Sequence, residues 1–397
     1  MRDVDIVIVG GGMVGASLAL ALADTGFAVT MIEGIAPGAG TQPSFDDRTT
    51  ALGNASRRIF EGLGVWHDIA PQAAPIQTIH VSDAGRFGFA RLKASEQGID
   101  AFGYVVTNRV IGAALWAKLA AARGITVRAP ARAENIEISP EGVRLTIVDA
   151  RGAKEEIRAR LSVAADGAHS SVRAAAGIDA TVEDYAQIAI AANLSCDRPH
   201  DGTAYERFTP SGPLALLPLY DGSYGVVWSA SPEEASRLLA LDDAAFLSEL
   251  QSRFGWRAGR FTRVGARASY PLKLTRAAST TSTRAVLIGN AAQALHPVAG
   301  QGFNLGLRDA AMLAEVLTSG RDAAGRGNSG HSNSGRNEPG HGEPGHGDSG
   351  HGNASHNNPG DGAPSQNDPG HPDLLARFEE WRSGDRGGVF RPPGCSR

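Results

Sequence analysis

Cysteine is nearly absent from this chain of 397 residues, which contains only Cys196 and Cys395. Two thiols exclude the disulfide framework of a small secreted domain and a metal site built from several cysteines. The first residues also lack the charged and then apolar segments of a signal peptide. These absences are typical of a reducing compartment, and we expect a cytoplasmic location.

The chain also lacks long apolar runs and an excess of charge of one sign. No apolar run reaches the roughly 18 residues that a membrane-spanning helix needs. The formal net charge is −4 and the basic residues are scattered, so we expect no nucleic-acid partner. Peripheral contact with a membrane stays open. With 42% hydrophobic residues, the chain can form two domains or one large α/β unit.

What the chain does contain is a glycine-rich turn near its start. Residues 4–9 are a β-branched run that predicts a strand, residues 13–24 predict a helix, and residues 28–32 predict a second strand. This order indicates a βαβ unit. The turn between the first strand and the helix carries the three glycines of a G-x-G-x-x-G motif: Gly10, Gly12 and Gly15.

Each of these glycines has a physical role in binding a dinucleotide. Gly10 permits a tight turn out of the strand, Gly12 lets the backbone approach a pyrophosphate, and Gly15 lets the helix pack closely on the sheet. The N-terminus of the helix offers N–H groups to the phosphates. Glu33 follows the second strand, where a carboxylate binds the ribose hydroxyls of FAD or NAD. The alternative is a glycine-rich turn without a ligand.

A second motif, Asp166-Gly167, follows a predicted strand at residues 161–165. Taken alone, an Asp-Gly pair after a strand is equally typical of a turn in which the carboxylate accepts backbone hydrogen bonds.

The third motif starts where the predicted strand 285–288 ends, at Gly289-Asn290, and continues into a glycine-dense turn at residues 296–306. Asn290 places an amide where a ribityl hydroxyl could bind. Gly300 and Gly302 let the backbone approach a flat ring. The helix predicted from about residue 302 to 317 would aim its N-terminus at the negative charge of a reduced flavin. The alternative is that this glycine-dense turn only starts a helix and has no role in binding a ligand.

Together, the three motifs resemble the aromatic-ring flavoprotein monooxygenases of the para-hydroxybenzoate hydroxylase type, and specifically the ubiquinone-biosynthesis hydroxylases. The resemblance covers roughly residues 3–318 and resumes around 374–386. Asn290 stands where most of the wider family has Asp, but an amide oxygen also accepts a hydroxyl hydrogen bond. Further matching stretches are residues 45–52, 81–85, 206–209, 212–218, 254–257 and 270–272.

The resemblance implies an α/β fold, with a Rossmann-like FAD-binding domain built from non-contiguous segments and a mostly antiparallel β-sheet substrate domain. Alternation of apolar and polar residues within 181–275 favours the same sheet. We assign residues 1–75, 100–180 and 276–318 to the FAD-binding domain, and residues 76–99 and 181–275 to the substrate domain.

The resemblance also implies FAD as cofactor and NAD(P)H as a transient co-substrate. Arg48 would lie near the pyrophosphate and Arg109 would be another FAD contact, although an ordinary surface ion pair is the alternative for both. The residues expected to contact FAD are Gly10, Gly12, Met13, Val14, Gly15, Glu33, Arg48, Arg109, Asp166, Gly167, Asn290, Gly300, Gln301, Gly302 and Asn304.

The implied reaction is hydroxylation of a prenylated phenol by O2 through a flavin C4a-hydroperoxide. His296 and Pro297 would border the C4a face, with a structural histidine before proline as the alternative. Leu216 and Pro218 are the expected roof over the substrate. A complex of ubiquinone-biosynthesis proteins is an implied partner. Two other functions stay open: different flavin chemistry on the same fold, and a non-catalytic FAD-binding subunit.

From residue 319 to 372 the composition changes to Gly, Asn, Ser, Pro and His, with almost no aliphatic residues. Such a segment buries too little apolar surface to offset its ordering entropy, so we predict a disordered insert. It holds six of the 11 histidines, but a solvated linker is favoured over a metal-binding tail because their spacing fixes no coordination geometry. Residues 373–397 resemble the start of the family's C-terminal helical region, and we expect that region to be truncated here.

Overall fold

The computed structural model describes residues 2–36, 47–295, 301–326 and 368–386. The strands within these ranges are β1 (Arg2–Val9), β2 (Val29–Ile32), β3 (Thr49–Gly53), β4 (Ala74–Pro75), β5 (Thr78–Asp83), β6 (Phe89–Lys93), β7 (Gly103–Thr107), β8 (Ile125–Arg128), β9 (Ala131–Ser139), β10 (Gly142–Asp149), β11 (Lys154–Ala164), β12 (Ala180–Cys196), β13 (Thr203–Thr209), β14 (Gly212–Pro218), β15 (Tyr224–Ala230), β16 (Phe261–Val264), β17 (Ala268–Ala277), β18 (Thr281–Ser282), β19 (Ala285–Leu287) and β20 (Gln293–Ala294).

The α-helices of the described ranges vary widely in length. They are α1 (Met13–Ala21), α2 (Asn54–Gly62), α3 (Trp66–Ile69), α4 (Asn108–Ala120), α5 (Ser171–Ala175), α6 (Pro232–Ala240), α7 (Asp243–Phe254), α8 (Gln301–Arg326) and α9 (Pro372–Arg386). No helix in the described part of the chain has both the length and the apolar character that crossing a membrane requires.

The first sheet has the strand order β18-β19-β11-β1-β2-β8, and β9 and β10 extend it through β11. The pairs β1–β11, β1–β2, β11–β19 and β2–β8 are all parallel. β1 is buried almost throughout, as expected for a parallel strand covered on both faces. Because its strands come from three distant parts of the chain, this sheet has the non-contiguous origin that the sequence predicts.

The second sheet has the order β20-β17-β12-β15-β14-β13-β5-β6, with β16 also pairing with β12. It is antiparallel except for the pair β13–β5. One face packs against α6 and α7 through a cluster that includes Leu216, Trp228 and Phe246. A third, small sheet has the order β3-β7-β4. β20 joins the second sheet although residues 276–318 were assigned to the FAD-binding domain; the domain boundaries stay a prediction.

The helices α1, α4, α8 and α9 cover one face of the parallel sheet. Their side chains share a core with that sheet, to which Leu18, Leu115, Leu313 and Phe378 contribute. One expectation about the region after α8 needs adjustment, and another is left as a prediction. Residues 319–326 continue the helix, so the helix is longer than predicted. Residues 327–367, with five of the six histidines of the predicted insert, lie outside the described residues.

Candidate active site

The main cavity has a volume of about 1220 Å³ and lies between the two large sheets. On one side it is lined by residues at the carboxyl ends of parallel strands, including Val9 at the end of β1 and Ile32 at the end of β2. On the other side it is lined by residues of β12, β15 and β17. Ligands of α/β folds bind at the carboxyl ends of parallel strands, so the fold itself marks this cavity as the site.

The glycine motif forms the turn from β1 into α1 at the cavity wall. Gly10 adopts a φ of +104°, and a Cβ there would collide with the carbonyl oxygen of Ala165. Gly12 is the N-cap of α1. Gly15 does not line the cavity; a Cβ there would overlap the carbonyl oxygen of Gly10. Its predicted role in close packing fits this geometry. The motif residues that line the cavity are Gly10, Gly12, Met13 and Val14.

Glu33 follows β2 and lines the cavity. Its Oε2 accepts a hydrogen bond from the N–H of Gly11 at 2.7 Å, and its Oε1 accepts one from the N–H of Ile35 at 2.9 Å. Each carboxylate oxygen has two lone pairs, so both can still accept a hydroxyl donor. The N–H groups of Gly11 and Ile35 therefore fix the orientation of the Glu33 carboxylate, which remains able to bind a ribose.

Asp166 and Gly167 also line the cavity, and the two interpretations of this motif are compatible. Asp166 Oδ2 accepts hydrogen bonds from the N–H of Ser171 at 2.7 Å and from its hydroxyl at 3.0 Å, at the start of α5. Asp166 Oδ1 is buried without a partner among the described residues. Gly167 adopts a φ of +83°, which favours glycine. One oxygen orders the turn and the other is left to accept from a ligand.

Asn290 is exposed to the main cavity on a short 3₁₀ turn, Gly289–Ala291, after β19. The turn is held from behind, because the N–H of Gly289 donates to Asp309 Oδ2 at 3.1 Å. The same carboxylate accepts from Arg382 of α9, with 2.9 Å between Nη2 and Oδ2 and a second bond from Nε to Oδ1. Asp309 and Arg382 are 3% and 2% exposed. This buried ion pair connects α8 and α9 directly to the turn.

The N-terminal turn of α8 differs from expectation at two positions. Gly302 lines the main cavity, as does Phe303, but Gln301 is exposed and does not line it. Asn304 is buried and does not line it either. Its Oδ1 accepts from the N–H of Gly53 at 2.9 Å and from the Ser56 hydroxyl at 2.6 Å. These contacts tie α8 to β3 and α2. His296, Pro297 and Gly300 lie outside the described residues.

The two arginines expected near the pyrophosphate have different surroundings. Arg48 lines the main cavity, and its guanidinium carbon lies 4.6 Å from the ring centroid of Tyr270. Arg109 does not line the cavity. Its Nε lies 3.1 Å from Asp47 Oδ1, and the two side chains are 55% and 71% exposed. The contact seen for Arg109 is therefore a surface ion pair, which was the alternative interpretation.

The second sheet lines the main cavity with small apolar side chains that the sequence analysis did not single out: Ala189, Ala191, Val227 and Ala268. The polar Asn193 and Tyr270 line the same side. On β12, large and small residues alternate, and Ile190 and Leu194 point to the opposite face, under α6 and α7. Since side chains alternate between the faces of a strand, this pattern could have identified the cavity side of β12.

Leu216 and Pro218, expected to roof the substrate, do not line the main cavity. Leu216 is fully buried in the cluster between the second sheet and α6 and α7. Pro218 lies two residues further along β14 and so shares that face of the strand. Burial alternates along β14, and the face that Leu216 and Pro218 share belongs to the core and not to the cavity.

The residues present at the cavity fit FAD. A glycine turn at a helix N-terminus suits a pyrophosphate, and the oriented Glu33 carboxylate suits a ribose. The unpartnered buried Asp166 Oδ1 needs a donor. Residues 3–326 match the family model described as FAD binding domain. The chain belongs to this family.

Known proteins agree with this membership. The chain is 40% identical over 316 residues to ubiquinone hydroxylase UbiL of Rhodospirillum rubrum, covering 79% of this chain and 72% of the relative. It is 37% identical over 324 residues to 3-demethoxyubiquinol 3-hydroxylase of Escherichia coli, covering 81% of each. The crystal structure of PqsL from P. aeruginosa, titled a probable FAD-dependent monooxygenase, matches with a TM-score of 0.68 at 20% identity, over 81% of this chain and 88% of that one. The predicted family, fold class and FAD cofactor are confirmed.

Proposed function

We propose that this protein is an FAD-dependent monooxygenase that hydroxylates a prenylated phenol in ubiquinone biosynthesis, with NAD(P)H as reductant and O2 as co-substrate. Two relatives with 40% and 37% identity are named as ubiquinone-pathway hydroxylases. A cytoplasmic location and a complex with other proteins of the pathway belong to the same proposal.

The observation that carries the proposal is the composition of the main cavity. One wall presents backbone N–H groups and carboxylates at the ends of parallel strands, and the other presents several small apolar side chains of the second sheet, with the polar Asn193, Tyr270 and Lys273 beside them. A dinucleotide needs the first kind of surface, and a planar apolar ring needs the second. The cavity therefore suits a flavin placed against an aromatic substrate.

FAD, when bound, supplies the redox chemistry by which electrons from NAD(P)H reduce O2 and one oxygen atom reaches the phenol. Glu33 would bind the ribose of FAD, and Arg48 would bind its pyrophosphate. Asn290 and Asp166 would accept hydroxyl hydrogen bonds. The remaining wall residues that would hold the cofactor through backbone or contact are Gly10, Gly12, Met13, Val14, Gly167 and Gly302.

The protein's own contribution to the reaction is positioning and exclusion of water. The positive N-terminal end of α8, near Gly302, would stabilise negative charge on the ring system beside it. Ala189, Ala191 and Val227 form an apolar surface without hydrogen-bonding side chains. Such a surface keeps water away from the reacting atoms and leaves orientation to the few polar groups at its edge.

The proposal is tested by coupled turnover of the full chain with FAD, NAD(P)H and a prenylated phenol in detergent. We expect phenol-dependent NAD(P)H oxidation with hydroxylated product formed in proportion to the O2 consumed. A yellow protein that never consumes O2 in response to a phenol would instead be a non-catalytic FAD-binding subunit, and the proposal would be wrong.

A matched pair of arginine variants tests the assigned site. Arg48→Ala removes a cavity-lining cation, whereas Arg109→Ala removes an exposed one outside the cavity. We expect Arg48→Ala to weaken FAD binding by roughly tenfold or more, since a hydrogen bond to a charged group is lost. Arg109→Ala should bind FAD like the parent chain. Equal losses in fluorescence titrations would contradict this division between the two arginines.

A further inference from the structure

An exposed surface at the outer edge of the second sheet combines apolar and cationic side chains. Phe87, in the turn between β5 and β6, is fully exposed at 110%, and Phe89 and Leu92 on β6 are 56% and 47% exposed. We define the edge surface as Arg86, Phe87, Phe89, Arg91 and Arg257; Leu92, three residues after Phe89, points to the opposite face of β6. Scattered single apolar residues are normal on a protein surface, but two exposed phenylalanines on one hairpin, beside several arginines, indicate an interaction site.

Phe89 is held in place by its neighbours. Its ring stacks on His80 with 4.9 Å between centroids and an interplanar angle of 16°. The guanidinium carbons of Arg91 and Arg257 lie 5.4 Å and 5.9 Å from the centroid of the Phe89 ring. Burial, and after it the positive charge of Arg257, lower the pKa of His80, so the imidazole is neutral at pH 7. Because His80 is neutral, the positive charge beside the Phe89 ring comes from Arg91 and Arg257.

The cations of the edge surface are only partly compensated by acidic residues. Arg86 Nε lies 3.4 Å from Asp83 Oδ2 in an exposed ion pair. In the described part of the chain, by contrast, no ion pair with a carboxylate is formed by Arg91 or by Arg257. The surface therefore presents uncompensated positive charge directly beside exposed aromatic side chains.

We propose that the edge surface docks on an anionic lipid membrane, with the phenylalanines in the interface and the arginines on the headgroups. Aromatic side chains favour the region between headgroups and acyl chains, and basic side chains are attracted to anionic lipid. A second copy of the chain pairing along β6 is disfavoured, because Arg91 and Lys93 place charges on this outer strand.

The position of the edge surface in the sheet fits a substrate that stays partly in the bilayer. β6 lies four strands from β15, whose Val227 lines the main cavity. At about 4.8 Å per strand, this is a separation of about 19 Å. Docking at the edge would bring the cavity within reach of a membrane-dissolved prenyl tail. This last step rests on the proposed function, whereas the docking itself does not.

Co-sedimentation of the full chain with phosphatidylcholine vesicles, with and without phosphatidylglycerol, tests the proposal. We expect binding to the anionic vesicles that weakens with salt. Phe87→Ser should weaken it by roughly tenfold, because a fully exposed ring no longer enters the interface. Arg91→Glu should weaken it by about tenfold or more, because it reverses a charge close to the headgroups.

Two matched controls lie elsewhere on the molecule. Tyr220→Ser removes an aromatic side chain that is 54% exposed, in the turn at the opposite end of β14 from the edge surface. Arg144→Glu reverses an exposed arginine on β10 of the other sheet. Both controls should bind vesicles like the parent chain. Thermal unfolding checks that each variant is folded, and Phe87→Ser cannot fail here for loss of packing because its ring is fully exposed.

Three outcomes would overturn the docking proposal: no binding to anionic vesicles, equal binding to neutral vesicles, or equal losses in the variants and their controls. Turnover with a short-chain phenol in solution separates this from the proposed function. Vesicle binding without any turnover would leave the docking surface standing and refute the hydroxylase. Turnover without vesicle binding would support the hydroxylase and refute the docking surface.

Discussion

The two walls of the main cavity differ in the part of the chain that forms them. The wall made by β1, α1 and the turn after β11 is mostly backbone, and a Cβ added at Gly10 or Gly11 would collide with a neighbouring atom. The wall made by β12, β15 and β17 is mostly side chain, with alanine at several lining positions. The first wall, the backbone wall, therefore resists substitution at Gly10 and Gly11, whereas the second, the side-chain wall, can be reshaped one residue at a time. In the proposed function, cofactor binding and substrate choice therefore fall to surfaces with different tolerance to mutation.

The largest effect is expected from Gly15→Ala, directly behind the backbone wall. The added Cβ would overlap the carbonyl oxygen of Gly10, so α1 must move away from the turn. We expect a loss of on the order of 4 kcal/mol or more in unfolding free energy, seen as loss of soluble protein or a much lower Tm. Gly62→Ala is the matched control, since nothing lies within 4 Å of a Cβ there. A Gly15→Ala protein as stable as this control would contradict the contrast between the walls.

The next effect tests how the backbone wall is supported from behind. Arg382→Met leaves the Asp309 carboxylate buried without its cation, which costs about 3–5 kcal/mol. Denaturant unfolding measures the loss, and FAD titration should show weaker binding because the Gly289 turn loses its support. Arg377→Met on the same helix is the control. Replacing both partners, as in Asp309→Leu with Arg382→Met, should recover part of the lost unfolding free energy. If nothing is recovered, the unpaired Asp309 charge is not the cause of the loss in Arg382→Met.

A smaller and more selective effect is expected on the side-chain wall. Ala191→Leu fills part of the main cavity on its sheet side, where Ala191 is only partly buried. We expect KM for the phenol to rise roughly tenfold or more, while Tm and FAD affinity stay near those of the parent chain. Ala180 lies on the same strand but outside the cavity lining, so Ala180→Leu should leave KM, Tm and FAD affinity unchanged. If Ala191→Leu released FAD, the assignment of this wall to the substrate would be wrong.

The smallest effect concerns pH and the segment that leads into α9. Burial raises the pKa of Asp368, but hydrogen bonds from Arg284 and the Gly370 N–H, with the charges of Arg284 and Arg160, outweigh it and lower the pKa overall. The resulting stability is present above the unfolded pKa of about 3.9 and is lost as pH falls through the lower folded value. Thermal melts from pH 6 downwards should therefore show a smaller acid-dependent loss for Asp368→Asn. Identical acid profiles would refute this.

The backbone wall could be predicted from sequence because its determinants are local. A strand, three glycines, a helix and an acidic residue occur within one short segment, and each is needed at a fixed place. The side-chain wall could be predicted only in part. Alternation along a strand shows that two faces exist, but which face meets a cavity depends on what packs against it. Leu216 was assigned to the wrong face for this reason.

Long-range contacts explain the other differences. Asn304 stands in a glycine-rich turn that suits a cofactor, yet its amide binds Gly53 and Ser56, far away in sequence. The pair of Asp309 and Arg382 joins two helices and is invisible to any local pattern. A buried charge is costly alone, so an aspartate in the otherwise apolar face of α8 was the available signal. Its partner could not have been named without the fold.

The ion pair between α8 and α9 also sets an order of events during synthesis. Arg382 is 73 residues after Asp309, so at 5–20 residues per second it is made roughly 4–15 s later. During that interval the nascent chain contains the whole glycine motif and the Gly289 turn, but the Asp309 carboxylate has no cation. The Gly289 turn at the cavity gains the paired Asp309 carboxylate behind it only when α9 docks. In the proposed function, the support behind the FAD site is therefore completed by residues made well after the glycine motif and the Gly289 turn.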